Sequence, residues 1–414
     1  MTRVLFVAES FFPVFGGGER HIEDLSAALV QRGLGATVLT RRGKRDWPSE
    51  EMRRGVRVVR VAPSGPGRIG KYGMVPFTVA WLLRQRHTYD VAIVCGTRIL
   101  ALPVLLASLA TRRPVVLQAE MTGELTGEIY VWGTAFHRPS VLRALRPFLA
   151  ARNVMFRRSR AFVAISHLIE REALDEGFAR ENVAYIPHAV DVHRFRPATG
   201  AERAELRARL GLPPDRTLVT FTGRLLKGKG LDVLVSAFAG VVREHQDAHL
   251  VVVGSGESQM LSVEQETHAQ VGALGLRERV SFTGRVDNVE DYLRASDIFA
   301  FPSLYEGLPH SPLEAAAAGL PAAASRAGGI PDVVLEGENG WLSEPGDVDG
   351  LRSSLARLLG DPGERARLAA RARDIAVERF SLEAVTERYR ELFERVARSD
   401  SVSRGGAERA TARS

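Results

Sequence analysis

Short apolar segments alternate with helical segments along most of this 414-residue chain. Residues 19–32 are typical of the helical segments, because their apolar residues recur at helical spacing and Gly33 follows as a C-cap. Nearly continuous apolar strands that alternate with helices predict a parallel sheet covered on both faces. The predicted strands lie at residues 4–8, 37–40, 56–62, 91–95, 115–118 and 161–166, and then at 217–223, 249–256, 280–284, 298–303 and 320–325.

The strand pattern occurs twice, and the chain is too long for one ordinary hydrophobic core. Residues 187–214, between the two halves, are rich in Pro, Asp and Arg and are interpreted as a linker with a short helix. We therefore expect an α/β protein of two Rossmann-like domains that face each other across a cleft, with ligand at the carboxyl ends of the strands. Residues 398–414 lack apolar content, which predicts a disordered tail.

The composition indicates a soluble globular protein, with 45% apolar and 25% charged residues. No apolar run is long enough to span a bilayer, and the N-terminus lacks a signal-peptide cleavage pattern. The single cysteine, Cys95, lies in an apolar strand segment and is interpreted as a core thiol. These features together lead us to expect a cytoplasmic protein.

The net charge of +7 favours anionic partners, and arginine is concentrated between residues 138 and 160. This segment is interpreted either as a basic amphipathic helix on an anionic membrane or as a surface helix that packs its apolar stripe on its own domain. We prefer the second interpretation. Nucleic acid is not expected as a partner, because the aromatic residues do not form a stacking platform.

Residues 301–321 read FPSLYEGLPHSPLEAAAAGLP, in which a strand end leads into a loop with Pro and Gly and then into an Ala-rich helix. Glu306 lies in the loop and Glu314 in the helix. The positive end of a helix and its free N–H groups bind anions, whereas carboxylates suit sugar hydroxyls. The combination predicts a nucleotide-sugar ligand. The alternative is an ordinary strand, loop and helix with solvated glutamates.

Arg224 and Lys229 follow the strand that ends at Gly223, and we expect them to project into the cleft. Two fixed cations beside a pyrophosphate would stabilise the charge that develops as the bond between sugar and phosphate breaks. The sequence has no cluster of metal-ligating residues, so neither a metal nor another cofactor is expected beyond the nucleotide-sugar co-substrate. The alternative is a solvated basic loop.

Three partial motifs argue against other classes of enzyme. Residues 223–229 have the spacing of a P-loop, but Gly230 stands where Ser or Thr would hold magnesium. The glycines at 16–18 and 254–256 begin a dinucleotide fingerprint whose third glycine is missing. An Asp-x-Asp at residues 347–349 directly precedes a helix and is explained by N-capping. Neither a phosphate-hydrolysing NTPase nor a nicotinamide dehydrogenase is therefore expected.

The order of these segments resembles the retaining family-four glycosyltransferases of the GT-B fold. The resemblance is carried, in sequence order, by FGGGERH, IPHAVDVHRF, TGRLLKGKGLD, VVVGSGE, SFTGRV, ASDIFAFPSLYEGLP, AGGIPDVV and GENGWL. The family signature of two glutamates separated by seven residues is matched by Glu306 and Glu314. A chance match to all eight segments in this order is not expected.

The resemblance implies a role for each matching residue. Glu306 would bind the hydroxyls of the donor sugar, and Glu314 would bind the ribose. The implied catalytic residues are Arg224, Lys229 and Glu306, and we add Glu120, which departs from the family pattern, as a fourth candidate. The implied donor-binding set is Gly16, Gly17, Gly18, Arg285, Val286, Gly307, Leu308, Ser311, Leu313 and Glu314.

Three positions depart from the family pattern, and one of them is Ala189, which replaces the usual Gly. Many relatives have a histidine near the donor sugar where this chain has Glu120, a carboxylate that could bind a sugar hydroxyl or take the acceptor's proton. His188 replaces the usual Asn at the domain hinge and is interpreted as structural. Glu124 and Glu128 are either part of the acceptor side or a solvated acidic loop.

We therefore expect a metal-independent, retaining hexosyltransferase that moves a sugar from a nucleoside-diphosphate sugar to an acceptor hydroxyl in glycan, glycolipid or glycosylated-metabolite biosynthesis. A glycogen-synthase-like or sugar-phosphate-accepting enzyme is an alternative within this class. The alternative from another class is a GT-B sugar-nucleotide-binding or epimerase-like protein. The predicted domains are residues 1–188 on the acceptor side, with a helix at about 382–397 packing back on them, and residues 189–381 on the donor side.

Overall fold

The computed structural model describes residues 1–14, 16–65, 67–130, 139–257, 259 and 261–411. The chain divides into two compact units. The first unit consists of Met1–His188 and Val385–Ser414, and the second unit is Ala189–Ala384. Each unit is built on its own parallel sheet.

The strands are short and apolar, and most of their residues are buried on both faces of the sheet. In the first unit they are β1 (Arg3–Ala8), β2 (Gly35–Arg41), β3 (Glu50–Arg53), β4 (Val56–Val61), β5 (Val91–Cys95), β6 (Val115–Ala119), β7 (Ala161–Ala164) and β8 (Val183–Tyr185). In the second unit they are β9 (Thr217–Thr222), β10 (Ala248–Val253), β11 (Val280–Phe282), β12 (Ile298–Phe301), β13 (Ala322–Ser325) and β14 (Gly340–Ser343).

Helices connect most of these strands, as parallel pairing requires. They are α1 (Gly17–Gln31), α2 (Gly67–Arg84), α3 (Ala101–Thr111), α4 (Pro139–Phe156), α5 (His167–Asp175), α6 (Gly200–Leu210), α7 (Leu231–Val241), α8 (Glu264–Ala273), α9 (Val289–Ala295), α10 (His310–Ala317), α11 (Ile330–Val333), α12 (Val348–Gly360), α13 (Pro362–Ile375) and α14 (Leu382–Thr411). A π turn, Ala376–Phe380, joins α13 to α14.

The first unit has an eight-stranded sheet in the order β3-β4-β2-β1-β5-β6-β7-β8. All its pairs are parallel except β3 with β4, which form an antiparallel hairpin through Arg54 and Gly55, both at positive φ. The sequence analysis did not predict β3, because its residues EEMR are charged and half-exposed rather than apolar. The second unit has six parallel strands in the order β11-β10-β9-β12-β13-β14. The expectation of two parallel-sheet α/β domains is confirmed.

The final helix, α14, belongs to the first unit from Val385 onward. Its Phe393 ring packs edge-on against Phe6 of β1 at 6.1 Å between centroids, and the Tyr389 hydroxyl donates to Gln118 of β6. The predicted disordered tail is wrong for residues 398–411, which continue this helix to Thr411. A helix extends at low cost once packing has formed its first turns, so apolar content is not needed there. Residues 412–414 lie outside the described residues.

Candidate functional site

The loops that follow β9, β12 and β13 meet at one edge of the second sheet. These three strands are parallel neighbours, so their carboxyl ends lie side by side. Lys229 follows β9, Glu306 follows β12 and Gly328 follows β13. The Leu304 N–H donates to the Gly228 carbonyl at 2.8 Å, and the Gly329 N–H donates to the Gly307 carbonyl at 2.8 Å. Backbone hydrogen bonds therefore hold the three loops together.

The Glu306 side chain is almost fully buried between two donors. The Lys229 Nζ lies 2.5 Å from Glu306 Oε1, and the Ser303 hydroxyl donates to the same oxygen at 2.6 Å. The Lys229 Nζ also lies 5.7 Å from the centroid of the Phe301 ring. The structure thus brings two of the predicted catalytic residues into one ion pair, and it adds Ser303, which the sequence analysis did not select.

Two glycines allow this close approach of backbone. A Cβ at Gly328, which has φ +54, would lie 1.8 Å from the Glu306 carbonyl oxygen. A Cβ at Gly230, which has φ +68, would lie 2.0 Å from the Pro302 carbonyl oxygen. Side chains essentially never tolerate such distances, and positive φ disfavours them further. The position of Glu306 therefore depends on glycine in both neighbouring loops.

Arg224, the other predicted cation, is exposed and makes no ion pair with a described residue. It directly follows Gly223, whose φ of +155 ends β9. Lys229 lies five residues later at the start of α7 and is partly buried. The two cations belong to the same loop, but only Lys229 is neutralised by a carboxylate of the protein.

The helix α10 begins beside Glu306. Its N-cap is Pro309, so no side chain caps the first turn. Gly307 and Leu308 are buried in the preceding loop. Ser311 is partly buried, and the Leu313 side chain packs in the core with no exposed surface. Only the backbone of Leu313 could therefore face a ligand, as the resemblance implies.

Glu314 lies on α10, about one turn after the start of the helix, and Glu306 lies in the loop before it. Desolvation by burial raises the pKa of its carboxyl group to about 7, the nearby Arg194 lowers that pKa in part, and Glu290 raises it. Arg194 itself forms an ion pair of 2.7 Å with Glu290. The sequence analysis missed both residues, because Arg194 lies in the segment interpreted as a linker and no motif contains Glu290.

Arg285 and Val286 follow β11, whereas the Glu306 ion pair lies in the loops after β9 and β12. The preceding Gly284 has φ +66, and its carbonyl accepts from the Gly254 N–H at 3.1 Å. Arg285 is exposed, whereas Val286 packs against the apolar cluster around Leu218 and Val251. The side chain of Val286 is thus structural, which is compatible with the implied contact through its main chain.

In the first unit, the three glycines that the resemblance assigns to donor binding lie at the start of a helix. Gly16 is the N-cap of α1 in an extended conformation, and Gly17 and Gly18 form its first turn. Phe15, the first residue of the matched segment FGGGERH, lies outside the described residues. A Cβ built on Gly18 would lie 3.8 Å from Glu120 Oε2, so this turn approaches the Glu120 carboxylate closely.

Glu120 follows β6 and is held by two side chains. Its Oε2 lies 3.3 Å from His188 Nε2, and its Oε1 accepts from Gln118 Nε2 at 2.5 Å. His188 is therefore a partner of Glu120, which the interpretation of His188 as a hinge residue did not include. We call Gln118, Glu120, His188 and Tyr389 the Glu120 cluster.

Glu124 does not belong to a solvated acidic loop. It is fully buried, and its Oε2 accepts from the Thr97 backbone N–H at 2.8 Å and from the Thr97 hydroxyl at 2.7 Å. Burial raises the pKa of this carboxyl group, and the hydrogen bonds from Thr97 lower it in part. Glu128, in contrast, is exposed. The hypothesis of a solvated loop is therefore wrong for Glu124, which anchors its loop.

The basic segment is only partly a surface feature. Arg152 is buried and donates to the Glu124 and Leu125 carbonyls at 2.9 and 2.8 Å. Leu149 and Phe156 also pack inward, whereas Phe148 is 60% exposed. Arg138 lies outside the described residues. Across the described ranges, no helix combines the length and apolarity needed to cross a bilayer, and no three metal-ligating side chains are grouped.

Comparison with known proteins adds two family matches. A model described as "Glycosyl transferases group 1" matches residues 202–375, and one described as "Glycosyltransferase Family 4" matches residues 15–194. Together they cover most of both units.

Two curated relatives illustrate the sequence similarity. A GDP-mannose-dependent monoacylated alpha-(1-6)-phosphatidylinositol monomannoside mannosyltransferase of Corynebacterium glutamicum is 34% identical over 213 residues, which are 49% of this chain and 54% of that protein. A D-inositol 3-phosphate glycosyltransferase of Xylanimonas cellulosilytica is 38% identical over 200 residues, 47% of this chain and 46% of that protein. The matched part thus spans about half the length of each relative.

Solved structures match nearly the whole chain. HepE of Anabaena, in complex with UDP, superposes with a TM-score of 0.74 at 23% identity and covers 95% of this chain and 100% of that one. Sucrose-phosphate synthase of Thermosynechococcus elongatus gives a TM-score of 0.78 at 21% identity and covers 96% of this chain and 100% of that one. At such low identity these similarities establish a shared fold.

Proposed function

This chain belongs to the family-four glycosyltransferases and has their GT-B fold, and from this we propose that it transfers a sugar from a nucleoside-diphosphate sugar to an acceptor hydroxyl. The observation that carries the proposal is the buried ion pair of Lys229 and Glu306 at the carboxyl edge of the second sheet, beside the uncapped start of α10. A carboxylate for hydroxyls, a cation and a helix start for phosphate suit the two ends of such a donor.

Lys229 can serve the protein and the donor together. An ammonium group has three donors, and Glu306 uses one of them. The others remain able to donate to a phosphate oxygen, and Arg224 in the same loop supplies a second cation. Glu306 Oε1 already accepts from Lys229 and Ser303, so Oε2 is the oxygen that we assign to a sugar hydroxyl.

We assign Glu314 to the ribose. Two neighbouring hydroxyls can donate to the two oxygens of one ionised carboxylate, and Arg194 favours that ionised form. The ribose would thus lie one helical turn from the phosphate-binding start of α10. Arg285 and Val286 are assigned to the base through their main chain.

In the proposed reaction the acceptor hydroxyl attacks the anomeric carbon from the face that the diphosphate leaves. The bond between the anomeric carbon and the acceptor oxygen forms as the bond to the phosphate oxygen breaks. The hydroxyl proton passes to the departing phosphate oxygen, and configuration is retained. Lys229 and Arg224 stabilise the charge that grows on the diphosphate, a function that metal ions perform in other enzymes.

The similar proteins suggest the classes of donor and acceptor to test. One relative is named for GDP-mannose and a phosphatidylinositol mannoside, another for inositol phosphate, and others for the lipopolysaccharide core. A structural neighbour was solved with UDP-glucose. We therefore propose a hexose donor on UDP or GDP and a polyhydroxylated acceptor that is lipid-linked or derived from inositol.

Incubation of the protein with UDP-, GDP- and ADP-hexoses, with release of the nucleoside diphosphate as readout, tests this proposal. The expected result is slow hydrolysis of one donor class, accelerated by an acceptor, with a product of unchanged anomeric configuration by NMR. Interconversion of the sugar without release of nucleotide would instead identify an epimerase-like protein. Binding without any turnover would identify a sugar-nucleotide-binding protein.

We also propose that the first unit docks on an anionic membrane through α2, α3 and α4. These helices contain no Asp or Glu, and α3 packs against both of the others. Large apolar side chains are exposed on all three, namely Phe77, Leu83, Leu106, Leu109, Phe148 and Val154. Exposed arginines accompany them, namely Arg84, Arg143, Arg146 and Arg158. Apolar side chains beside cations, with no anion, suit an anionic bilayer surface.

Sedimentation with phosphatidylcholine vesicles, with and without phosphatidylglycerol, tests this docking. Binding is expected only to the anionic vesicles and should weaken as salt rises. Reversal of charge in R143E/R146E should lower binding by at least about tenfold, since each basic residue contributes about 1 kcal/mol. The matched control is R395E, which changes an exposed arginine on α14. Equal loss in both variants, or equal binding to neutral vesicles, would contradict the proposed surface.

A further inference from the structure

The Glu120 cluster is assembled from distant parts of the first unit. Gln118 and Glu120 lie at the end of β6, His188 is the last residue of the segment Met1–His188, and Tyr389 lies on α14. The Tyr389 hydroxyl donates to Gln118 Oε1 at 2.7 Å. That bond orients the amide so that its nitrogen faces Glu120, to which it donates at 2.5 Å.

One oxygen of Glu120 therefore accepts a hydrogen bond from Gln118, and the other lies within ion-pair distance of His188 Nε2, at 3.3 Å. The His188 ring is itself fixed, because it packs on the His21 ring of α1 at 4.5 Å between centroids. Four segments of chain thus determine the position of a single carboxylate. Such preorganisation is typical of groups that recognise a ligand.

Burial within the cluster is uneven. Gln118 is 1% exposed, His188 4% and Tyr389 0%. The Glu120 side chain is 23% exposed, more than any other member of the cluster. It lies beside Gly18 and Gly96, with a Cβ on either glycine 3.8 Å from a Glu120 atom. The cluster therefore presents one carboxylate to solvent over two residues without side chains, which leaves room for a ligand.

The groups around Glu120 indicate how its charge is balanced. Burial raises the pKa of the Tyr389 hydroxyl well above its usual value, and the Cys95 thiol and the Glu120 carboxylate raise it further. Burial, with a further effect of Glu120, also raises the pKa of Cys95. Tyr389 and Cys95 are therefore neutral near pH 7. Within the cluster, His188 is the basic side chain that lies beside the Glu120 carboxylate.

We propose that His188 is a positioning residue that holds Glu120 to accept a hydrogen bond from a sugar hydroxyl. The inference rests on the proposed transfer of a sugar, and it assigns a task to His188. The structure places His188 beside the Glu120 carboxylate, although the two residues are far apart in sequence. The sugar belongs either to the donor or to the acceptor.

Calorimetry and kinetics on the full chain test the proposal with H188Q, E120Q and the double variant. H188Q should lose about 10- to 100-fold in one of two quantities, the scale of one hydrogen bond to a charged group. The first is the affinity for the intact donor relative to that for its bare nucleoside diphosphate. The second is kcat/KM for the acceptor. Loss in the first measurement assigns the donor sugar, and loss in the second assigns the acceptor. Bare nucleotide affinity, a property of the second unit, should stay unchanged in every variant.

The double variant separates positioning from an independent role. If His188 acts through Glu120, H188Q should cost less than about twofold when it is added to E120Q. Full additivity would overturn the proposal, as would unchanged affinities and rates in H188Q with only a lower melting temperature. Failure of the proposed function would look different, since wild-type protein would then bind a donor no better than its bare nucleotide and transfer nothing.

Two further variants serve as controls. H167Q breaks another histidine–glutamate pair of the first unit, His167 with Glu170 at 2.9 Å, and should change neither ligand affinity nor rate. Y389F removes one hydroxyl at the far end of the cluster and conserves the ring. It should reproduce part of the H188Q loss, since Gln118 is then free to turn. A Y389F protein that folds and keeps full activity would contradict the proposed chain of contacts.

Discussion

Each unit holds a carboxylate beside the carboxyl ends of its parallel strands. In the second unit this is Glu306 in its ion pair, and in the first unit it is Glu120 in its cluster. Their construction differs. Glu306 is fixed by Ser303 from its own loop and by Lys229 from the neighbouring strand's loop. Glu120 is contacted by His188 at a unit boundary and by Gln118, whose amide is oriented by Tyr389 of the final helix. The first arrangement repeats a local motif, whereas the second depends on tertiary packing.

This difference has a physical origin. The loops after neighbouring parallel strands are brought together by the sheet itself, so a motif of a few residues suffices to build a site there. Residues such as Gln118 and Tyr389 meet only because α14 returns to the first unit. We therefore expect the second-unit site to be sensitive to local backbone changes and the first-unit cluster to be sensitive to side-chain contacts.

The largest effect is expected from the cations of the second unit. K229A and R224A should each lower turnover by about 10²-fold or more, the scale of one preorganised electrostatic contact. K229A also leaves Glu306 buried with Ser303 as its one side-chain partner among the described residues, so its melting temperature should fall more than that of R224A. K227A, in the same loop, is the control and should lie within about twofold of wild type. Normal turnover in K229A would make its ion pair purely structural.

Substitution of the two glutamates should weaken binding of opposite ends of the donor. E314A should weaken both the nucleoside diphosphate and the intact donor by about 10- to 100-fold. E306A should weaken only the intact donor, because Lys229 is then freed to donate fully to phosphate. Calorimetric titration of both variants with both ligands gives the four affinities. Equal loss of the bare nucleotide in both variants would contradict the assignment of the two ends.

The raised pKa of Glu314 predicts a pH dependence of nucleotide binding. Ribose hydroxyls donate to the ionised carboxylate, so affinity should increase as pH rises through about 7, by up to about tenfold per unit below that value. E314Q should remove this dependence. The raised pKa also means that Glu314 favours the folded state most at low pH, and this contribution is lost as pH rises from 4.5 through about 7. Unfolding of E314Q and wild type at several pH values measures it.

Two glycine substitutions compare the backbone demands of the regions directly. G328A places a Cβ 1.8 Å from a carbonyl oxygen at positive φ and should cost about 2–4 kcal/mol of folding stability. G18A lies in the first turn of α1 with 3.8 Å of room, so its stability should change by less than about 1 kcal/mol. Denaturant unfolding measures both. Equal stabilities would show that the loop after β13 relaxes easily and does not hold Glu306.

The smallest effect is expected from removal of metal ions. Because Lys229, Arg224 and the start of α10 are assigned to the diphosphate, transfer should persist in excess EDTA at nearly its full rate. The same assay with added magnesium is the comparison. Activity that disappears with EDTA and returns with magnesium would contradict the assignment of the leaving group.

Much of the second-unit site could be predicted from sequence. Glu306, Lys229 and Glu314 lie in segments whose order resembles a known family, and the structure brings Glu306 and Lys229 into contact. Arg194 was missed although it lies in the matched segment IPHAVDVHRF, because only folding brings it near Glu314. In the first unit, Glu124 was misinterpreted, since an acidic residue in a polar segment gives no sign that Thr97 buries it.

The sequence by itself determined the two parallel-sheet α/β domains, because apolar periodicity and strand–helix alternation are local properties that dictate which faces are buried. The sequence also determined the family, because its short motifs lie at the ends of strands and occur in the order typical of that family. Only the tertiary structure decided that His188 and Tyr389 support Glu120 and that Arg152 is buried. Contacts between residues far apart in sequence depend on how helices pack on a sheet, and no local pattern encodes that packing.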